Sequence, residues 1–415
     1  MAMPEDLYKE VIQILSTRKN EVLEIEILSP GLGPILQDGN FIGISKTALV
    51  QIFTIARHIF FEKLVHLDDD GLLATTLREN GDEAGAVTTE IILLFDCEHL
   101  TACNWRKRRL QALIQRRRRS CSAALPRDID PDQAQAVSRE ELERDGNLVS
   151  LLERERSLMT TYLCSPLHRH TKSPTLWQHR LWVVTQLMGI SFGPSSGTEL
   201  ASVESGSTGS SSLTEILRGL MNAELDVVLR AGEKHPKNYY AFNYMRQLHR
   251  ALPDIFEQTA NVNNITGDKS IDDVFSHLAG CVLDSTLTWC LAHLRDISGW
   301  TFLLYLLQAV RVRAEQRQRL VVDRVIQFAL NVGWEGESLW TFVDLAVRDF
   351  GMKVKLFQSG DEESGFADGS IERSTVKGKP LQRPPWKKWA SRAKVLRLAT
   401  DHDTKFVTTR SDEGG

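Results

Sequence analysis

The chain has 415 residues, of which 42% are hydrophobic and 25% charged, and its formal net charge is −4 at pH 7. This composition is ordinary for a folded protein, and the slightly acidic balance argues against wholesale binding of a polyanion. The six cysteines are scattered without a paired CxxC motif, and the N-terminus lacks the pattern of a signal peptide. Both features predict free thiols and a cytoplasmic location. No apolar run approaches the roughly 20 residues that span a bilayer, so no transmembrane segment is predicted.

Residues 1–84 are predicted to form an atypical N-terminal cap. The stretch LEIEILSPGLG mixes short β-like alternation with Pro and Gly, which is typical of a strand followed by a turn. Ser45 is a plausible N-cap for the apolar helix that follows it. The segment ATTLRENGDEAGAV is predicted to be a loop, and VTTEIILLFDCEHL is predicted to begin the first helical repeat.

Residues 85–350 show helical periodicity in successive pairs. The polar segment 121–147 contains two prolines and is predicted to be an excursion between repeats. The Gly/Ser-rich segment at about 190–212 is predicted to be a mobile insert. Residues 351–415 are predicted to be a disordered loop followed by a basic C-terminal helix and tail. Within them WKKWASRAKVLRLA (386–399) has the pattern of a basic amphipathic helix, which we expect to dock on this protein or on a partner rather than on a membrane.

One phrase recurs along the chain, consisting of a polar turn, a large aromatic residue and an apolar helix. Its aromatic anchors are Trp105, Trp177, Phe242, Trp300 and, in a weaker copy, Trp340. Arginines follow the first three anchors at Arg108, Arg180 and Arg246. Such a unit is usually a helix pair that buries its apolar face by stacking on its neighbours. The sequence therefore predicts an all-α fold, a right-handed α-α superhelix or solenoid of about five hairpins, with the anchors packed between hairpins.

Two copies of the phrase resemble the repeat of the protein prenyltransferase alpha subunits. The nearly complete copy reads Pro236-Lys237-Asn238-Tyr239-Tyr240-Ala241-Phe242, and Ser173-Pro174-Thr175-Leu176-Trp177-Gln178-His179-Arg180 matches the second half of the pattern. The resemblance covers roughly residues 85–350. Phe242 stands where the family has Trp, and Met245 stands where it has Arg. The long linkers and divergent copies resemble the diverged alpha-subunit repeat-containing branch of the family.

This resemblance implies a heterodimer. In the family a crescent of helical hairpins wraps a beta subunit, which holds the zinc and most of the isoprenoid pocket. The resemblance therefore implies an alpha-type subunit that is inactive alone, binds no cofactor itself, and supports transfer of an isoprenoid to a C-terminal cysteine of a protein substrate. The diverged branch is associated with geranylgeranyl transfer and with the beta subunit of the Rab enzyme.

The resemblance also implies the site residues. Lys172 and Lys237, with Tyr240, correspond to positions that act on the leaving diphosphate, and Asn238 and Tyr239 to positions on the isoprenoid diphosphate side. The chemistry suits them, because thiolate attack on an allylic diphosphate releases pyrophosphate, whose charge a cation at a helix N-terminus can neutralise.

Other readings of these features stay open. A non-catalytic helical-repeat scaffold for protein interactions is the main alternative, since later copies lack the arginine. The cluster RKRRL…QRRRRS (106–119) is typical of a solvated helix end, but it also suits an acidic partner, a nuclear import signal or, less well without interleaved aromatics, nucleic acid. Cys164, His168 and His170 lie close in sequence, but they lack a fourth ligand, so no metal site is predicted.

Overall fold

The computed structural model describes residues 3–64, 79–122, 131–191, 209–257, 271–354 and 385–410. The chain divides into two compact units, residues 1–271 and residues 272–415. Each unit has its own buried core and is described by itself below.

The first unit combines helices with a small sheet. Its described helices are α1 (Pro4–Thr17), α2 (Lys46–Ile59), α3 (Glu79–Phe95), α4 (Leu100–Ser122), α5 (Pro131–Cys164), α6 (Pro174–Ser191), α7 (Gly209–Lys234) and α8 (Tyr239–Glu257). A π-helical turn (Phe60–Leu64) follows α2, and a 3-10 turn (His170–Lys172) precedes α6. Ser45 caps α2 as predicted, because its Oγ accepts a hydrogen bond of 3.2 Å from the amide of Ala48.

The structure is mostly helical, which agrees with the all-α prediction, but it also contains a small three-stranded sheet. Its strands are β1 (Glu24–Leu28), β2 (Ile35–Asp38) and β3 (Phe41–Ser45), in the order β1-β3-β2, with β1 parallel and β2 antiparallel to β3. The outer edge of β1 is tied to the end of α5, since the amide of Ile25 donates to Ser165 Oγ at 2.9 Å. Just before β1, the amide of Leu23 donates to Thr161 Oγ1 at 3.0 Å. The cap is therefore anchored to the helix that leads into the predicted site.

A glycine in β3 lets the sheet close. A Cβ atom at Gly43 would lie 2.3 Å from Leu28 Cδ2, because the Leu28 side chain covers that position from the neighbouring strand. A side chain at this position would therefore have to displace the side chain of Leu28.

The second unit is helical throughout its described residues. Its helices are α9 (Ile271–Ala292), α10 (Ile297–Ala309), α11 (Ala314–Val332), α12 (Glu337–Asp349) and α13 (Pro385–Arg410). The window Asp273–Ala292 in α9 is long and apolar enough by composition to cross a membrane, but 56% of it is buried inside the structure. That burial is typical of a core helix in a folded unit.

Helices α3 to α12 follow one another as five pairs joined by short turns, which agrees with the predicted number of hairpins. The right-handed superhelical course of the whole array stays a prediction. The prediction of an excursion over 121–147 is wrong for residues 131–147, because α5 begins at Pro131, where proline suits the first turn of a helix. The predicted loop before the first repeat is also wrong from residue 79 onward, where α3 begins.

Two predicted inserts fall mainly outside the described residues. Of the Gly/Ser-rich segment, residues 192–208 are not described, and its flanks belong to α6 and α7. Residues 355–384 of the predicted C-terminal loop are likewise outside the described part.

The basic C-terminal helix docks on the last hairpin. This agrees with the expectation that it docks on this protein or on a partner. Trp389, Ala390 and Ala393 of α13 are buried, and α13 packs against α12 and α11. The indole N–H of Trp389 donates to Asp344 Oδ1 at 3.1 Å, and Lys394 pairs with Glu335 at 3.1 Å. The apolar side of this helix is therefore used within its own unit.

Candidate functional site

A common register positions the second helix of each hairpin. The residue before the helix, His99, Ser173, Asn238 or Asp296, accepts an amide hydrogen bond from the first turn in the first four hairpins. The side chain four positions after this cap is buried. These side chains are Cys103, Trp177, Phe242, Trp300 and, after the uncapped start at Gly336, Trp340. Four of the five predicted anchors are thus confirmed as core residues.

The tryptophan anchors share one further contact. Each indole N–H donates to a backbone carbonyl six residues earlier, from Trp177 to Thr171 at 2.9 Å, from Trp300 to Leu294 at 3.2 Å and from Trp340 to Trp334 at 2.8 Å. The anchor therefore fills core and also fixes the turn before its helix.

The predicted anchor of the first hairpin is wrong by two residues. Cys103 occupies the anchor position, whereas Trp105 is only partly buried. Its arginine is correspondingly Arg106, which is 3% exposed, and not Arg108, which is exposed. Sequence reasoning favoured Trp105 because a thiol is a small anchor and the arginine lies within a run of basic residues.

Arg106 joins the first hairpin to the second. Its Nε donates to Glu155 Oε1 at 2.8 Å and its Nη2 to Glu155 Oε2 at 2.5 Å, while Glu90 lies 3.4 Å away. Glu155 also accepts from His179 Nε2 at 2.7 Å. Burial opposes the charged form of His179, but Cys103 and the Glu155 carboxylate outweigh it and raise the pKa of His179 to about 9. Burial likewise opposes the charged carboxylate, yet Arg106 holds the pKa of Glu155 well below its usual range.

Arg180 joins the second hairpin to the third in the same way. Its Nε and Nη2 form a bidentate pair with Glu224, at 2.7 and 3.0 Å. Both side chains are at most 2% exposed. Glu224 also accepts a hydrogen bond of 2.6 Å from the hydroxyl of Tyr244 on α8. Arg180 therefore pairs inside the stack, and its glutamate partner is a residue that the sequence pattern did not single out.

The third hairpin departs from this arrangement. Met245 lies three positions after Phe242, where the first two hairpins have arginine, and it is buried. Arg246 lies instead near the surface with its guanidinium 5.9 Å from the ring centre of Tyr239. The boundary between the two units falls directly after this hairpin.

The turns that carry the two predicted lysines are bonded to each other. Asn238 is fully buried; its Nδ2 donates to the carbonyl of Thr171 at 2.6 Å, and its Oδ1 accepts from the amide of Ala241 at 3.2 Å. Lys172 directly follows Thr171 and Lys237 directly precedes Asn238. One hydrogen bond therefore joins the turn that carries Lys237 to the turn that carries Lys172. The two bonds together use both polar atoms of Asn238, which makes this residue a support for the site.

Lys237 has an unusual backbone. Its φ is 59°, in the left-handed region that costs a residue with a Cβ atom roughly 1–2 kcal/mol. Among the described residues Lys19 and Arg313 share this feature. The side chain of Lys237 is exposed at the start of α8. An outlier of this kind at a predicted site is consistent with a functional constraint on the turn.

The remaining predicted site residues flank these lysines. Lys172 ends the 3-10 turn before α6 and is half-buried. Tyr239 and Tyr240 are 57% and 43% exposed, and their rings meet edge to face with centres 6.3 Å apart. The structure therefore gathers the five predicted residues at one end of the second and third hairpins: four at the surface and Asn238 beneath them.

The three possible metal ligands that lie close in sequence have separate partners in the structure. Cys164 donates from Sγ to the carbonyl of Val227 at 3.5 Å, and His170 Nε2 lies 2.9 Å from the carbonyl of Leu93. His168 instead faces His235. Burial raises the pKa of the Cys164 thiol to about 11, which disfavours the thiolate that a metal would need.

The first three hairpins are thus joined in order by two buried arginine–glutamate pairs, Arg106 with Glu155 and Arg180 with Glu224. Residues 221–252 match the model of the protein prenyltransferase alpha subunit repeat. They run from the part of α7 that carries Glu224, through the turn of Lys237, to most of α8, so the third hairpin carries a repeat of that family. A comparison with curated proteins gives no match.

Proposed function

We propose that this chain is the alpha-type subunit of a heterodimeric protein prenyltransferase, and that it supports geranylgeranyl transfer to a cysteine of a protein substrate in the cytoplasm. The zinc and the isoprenoid pocket belong to a beta-subunit partner, with the Rab-type beta subunit as the first candidate. The observation that carries the proposal is the bond between Asn238 and Thr171, which joins the turn of Lys237, on the matched repeat, to the turn of Lys172.

The chemistry supports this assignment. As the thiolate forms its bond to the allylic carbon, the carbon–oxygen bond breaks and negative charge grows on the departing diphosphate. Lys172 and Lys237 lie at the starts of α6 and α8, where backbone amides add to a positive field. Tyr240 is exposed beside them and can donate a hydrogen bond to the same oxygens. The turns that carry the two lysines are joined by a hydrogen bond before any reaction, and groups placed in advance are what makes electrostatic stabilisation effective.

A non-catalytic interaction scaffold is the second candidate. The observation in its favour is that Asn238, one of the residues assigned to the diphosphate side, spends both polar atoms on structural bonds. The loss of the arginine at Met245 shows that the repeat pattern itself is not strictly kept.

Co-purification separates the two candidates. The chain is co-expressed with each prenyltransferase beta subunit of its source, and the purified complex is given geranylgeranyl diphosphate and a cysteine-terminated acceptor. The proposal expects a stable one-to-one complex that transfers the lipid, while the chain alone does not. A chain that binds no beta subunit, or a complex that transfers no lipid, contradicts the proposal and leaves the scaffold.

A further inference from the structure

Two histidines that the proposed mechanism does not use lie beside the lysines. His168 is exposed in the turn after α5, and His235 is half-buried just after α7. Their ring centres are 4.9 Å apart, with the ring planes tilted by 56°. The ring of His235 also lies against its own turn, with Nδ1 3.4 Å from the carbonyl oxygen of Pro236. The pair therefore bridges the same two turns that Asn238 ties together.

The surroundings of this pair are positive. Burial, Lys172 and His168 together hold the pKa of His235 below its ordinary value, against a weaker opposing effect of the Pro236 carbonyl. Lys237 lies two residues further along the turn, and Lys234 on the last turn of α7 is engaged by Glu24 of β1 at 2.7 Å. These neighbours oppose a positive charge on the imidazole of His235, whereas a bound anion would favour it.

We propose that His168 and His235 form part of the diphosphate site, and that His235 takes up a proton from solvent when a diphosphate binds beside Lys172. This inference rests on the proposed function. An anion next to the rings favours the imidazolium form, so an N–H bond forms on an imidazole as the ligand enters and is lost to solvent as pyrophosphate leaves. The site then gains the positive charge of the imidazolium only when the negative ligand is bound. The empty site thereby avoids three or more neighbouring positive charges.

The sign of the pH dependence follows from this coupling. A site that takes up a proton on binding gains affinity as pH falls, by up to about tenfold per pH unit for one proton. The ligand has its own protonation equilibria, but these are identical for every variant of the protein. The difference between the wild type and a variant without the histidines therefore reports the protein alone.

The test uses the heterodimer and geranylgeranyl diphosphate as the probe, without acceptor protein. Affinity is measured between pH 6 and 8, and calorimetry in two buffers of different ionisation enthalpy gives the number of protons taken up. The variants are His168→Gln with His235→Gln, and His58→Gln as a control. His58 lies in the same unit, its side chain is 68% exposed, and it pairs with Glu62 four residues later in the chain. We expect proton uptake near pH 7 for the wild type and the control, and its loss in the double variant, together with a shallower rise in affinity toward pH 6.

Equal proton uptake in the double variant and the wild type would overturn the inference. If proton uptake is equal but Lys237→Ala slows the transfer of the isoprenoid, only the role of the histidines is wrong. If the complex does not bind the diphosphate at all, the proposed function fails with it. Circular dichroism of each variant verifies the fold, which both substitutions should leave intact because neither ring is fully buried.

Discussion

Removing the guanidinium of Arg180 should destabilise the first unit by about 3 kcal/mol. Arg180 donates two hydrogen bonds to Glu224 and two more, to the carbonyl of Arg156 at 2.9 Å and to Thr160 Oγ1 at 2.8 Å. Breaking a buried pair by deleting one partner typically costs about 3–5 kcal/mol, because the other charge stays buried. We expect the lower end of this energy range, because Tyr244 still donates to Glu224 and Arg156 lies 3.7 Å from the Glu224 carboxylate.

Urea denaturation followed by far-UV circular dichroism measures this cost for Arg180→Ala. With a slope of about 3 kcal/mol per M for a unit of this size, the midpoint should fall by about 1 M. The control is Arg218→Ala, whose side chain is 49% exposed and pairs with Glu215 on the same helix; it should cost under about 0.5 kcal/mol. Arg180→Met with Glu224→Gln should recover most of the loss, because the third hairpin carries methionine at the equivalent position and Gln still accepts from Tyr244. A loss for Arg180→Ala no larger than that for the control would refute the reasoning.

Further predictions concern the same unit and its neighbour. Stability should peak near pH 5–6: the contribution of His179 is full below its ordinary pKa of 6.5 and is lost as pH rises through about 9, and that of Glu155 is present above 4.5 and lost as pH falls toward its lowered pKa. Thermal unfolding measured below, within and above pH 5–6 tests both losses of stability. A melting temperature that does not change with pH contradicts the pairing. Trp177→Ala should cost about 3–5 kcal/mol by leaving a cavity, as a denaturation midpoint shows. Trp389→Ala should release α13, seen as faster amide exchange over residues 385–397, and unchanged exchange would contradict its docking. Lys237→Gly should raise stability by up to about 1 kcal/mol relative to Lys237→Ala, because glycine adopts the left-handed backbone without strain; equal midpoints would contradict that strain.

The helical hairpins could be predicted because apolar spacing and turn residues recur at each of them. The strand signal in LEIEILSPGLG corresponds to β1, but the pairing of three strands into a sheet was not predicted, since β2 and β3 have only four and five residues and leave little periodicity to detect. The anchor of the first hairpin was misplaced because Cys103 carries no aromatic signal and Trp105 stands two residues away.

The site could be predicted only in part, because its contacts join residues that are distant in sequence. Lys237 and Asn238 carried a recognisable pattern, but the bond from Asn238 to Thr171 spans 67 residues. Glu224 is an ordinary helix glutamate until Arg180, 44 residues earlier, is folded onto it. The pairing of His168 with His235 likewise arises only when two turns are brought together.

The most direct test of the central claim compares two lysines in the same backbone conformation. Lys237 and Lys19 are both exposed, with φ values of 59° and 51°, so Lys19→Ala is a matched control for Lys237→Ala. In a folded heterodimer with a beta subunit, we expect Lys237→Ala to slow the single-turnover transfer of the isoprenoid by about 30- to 1,000-fold, or roughly 2–4 kcal/mol, with a smaller effect on binding of the lipid diphosphate. Lys19→Ala should keep the wild-type rate. A full single-turnover rate in Lys237→Ala would contradict the catalytic assignment and favour the scaffold.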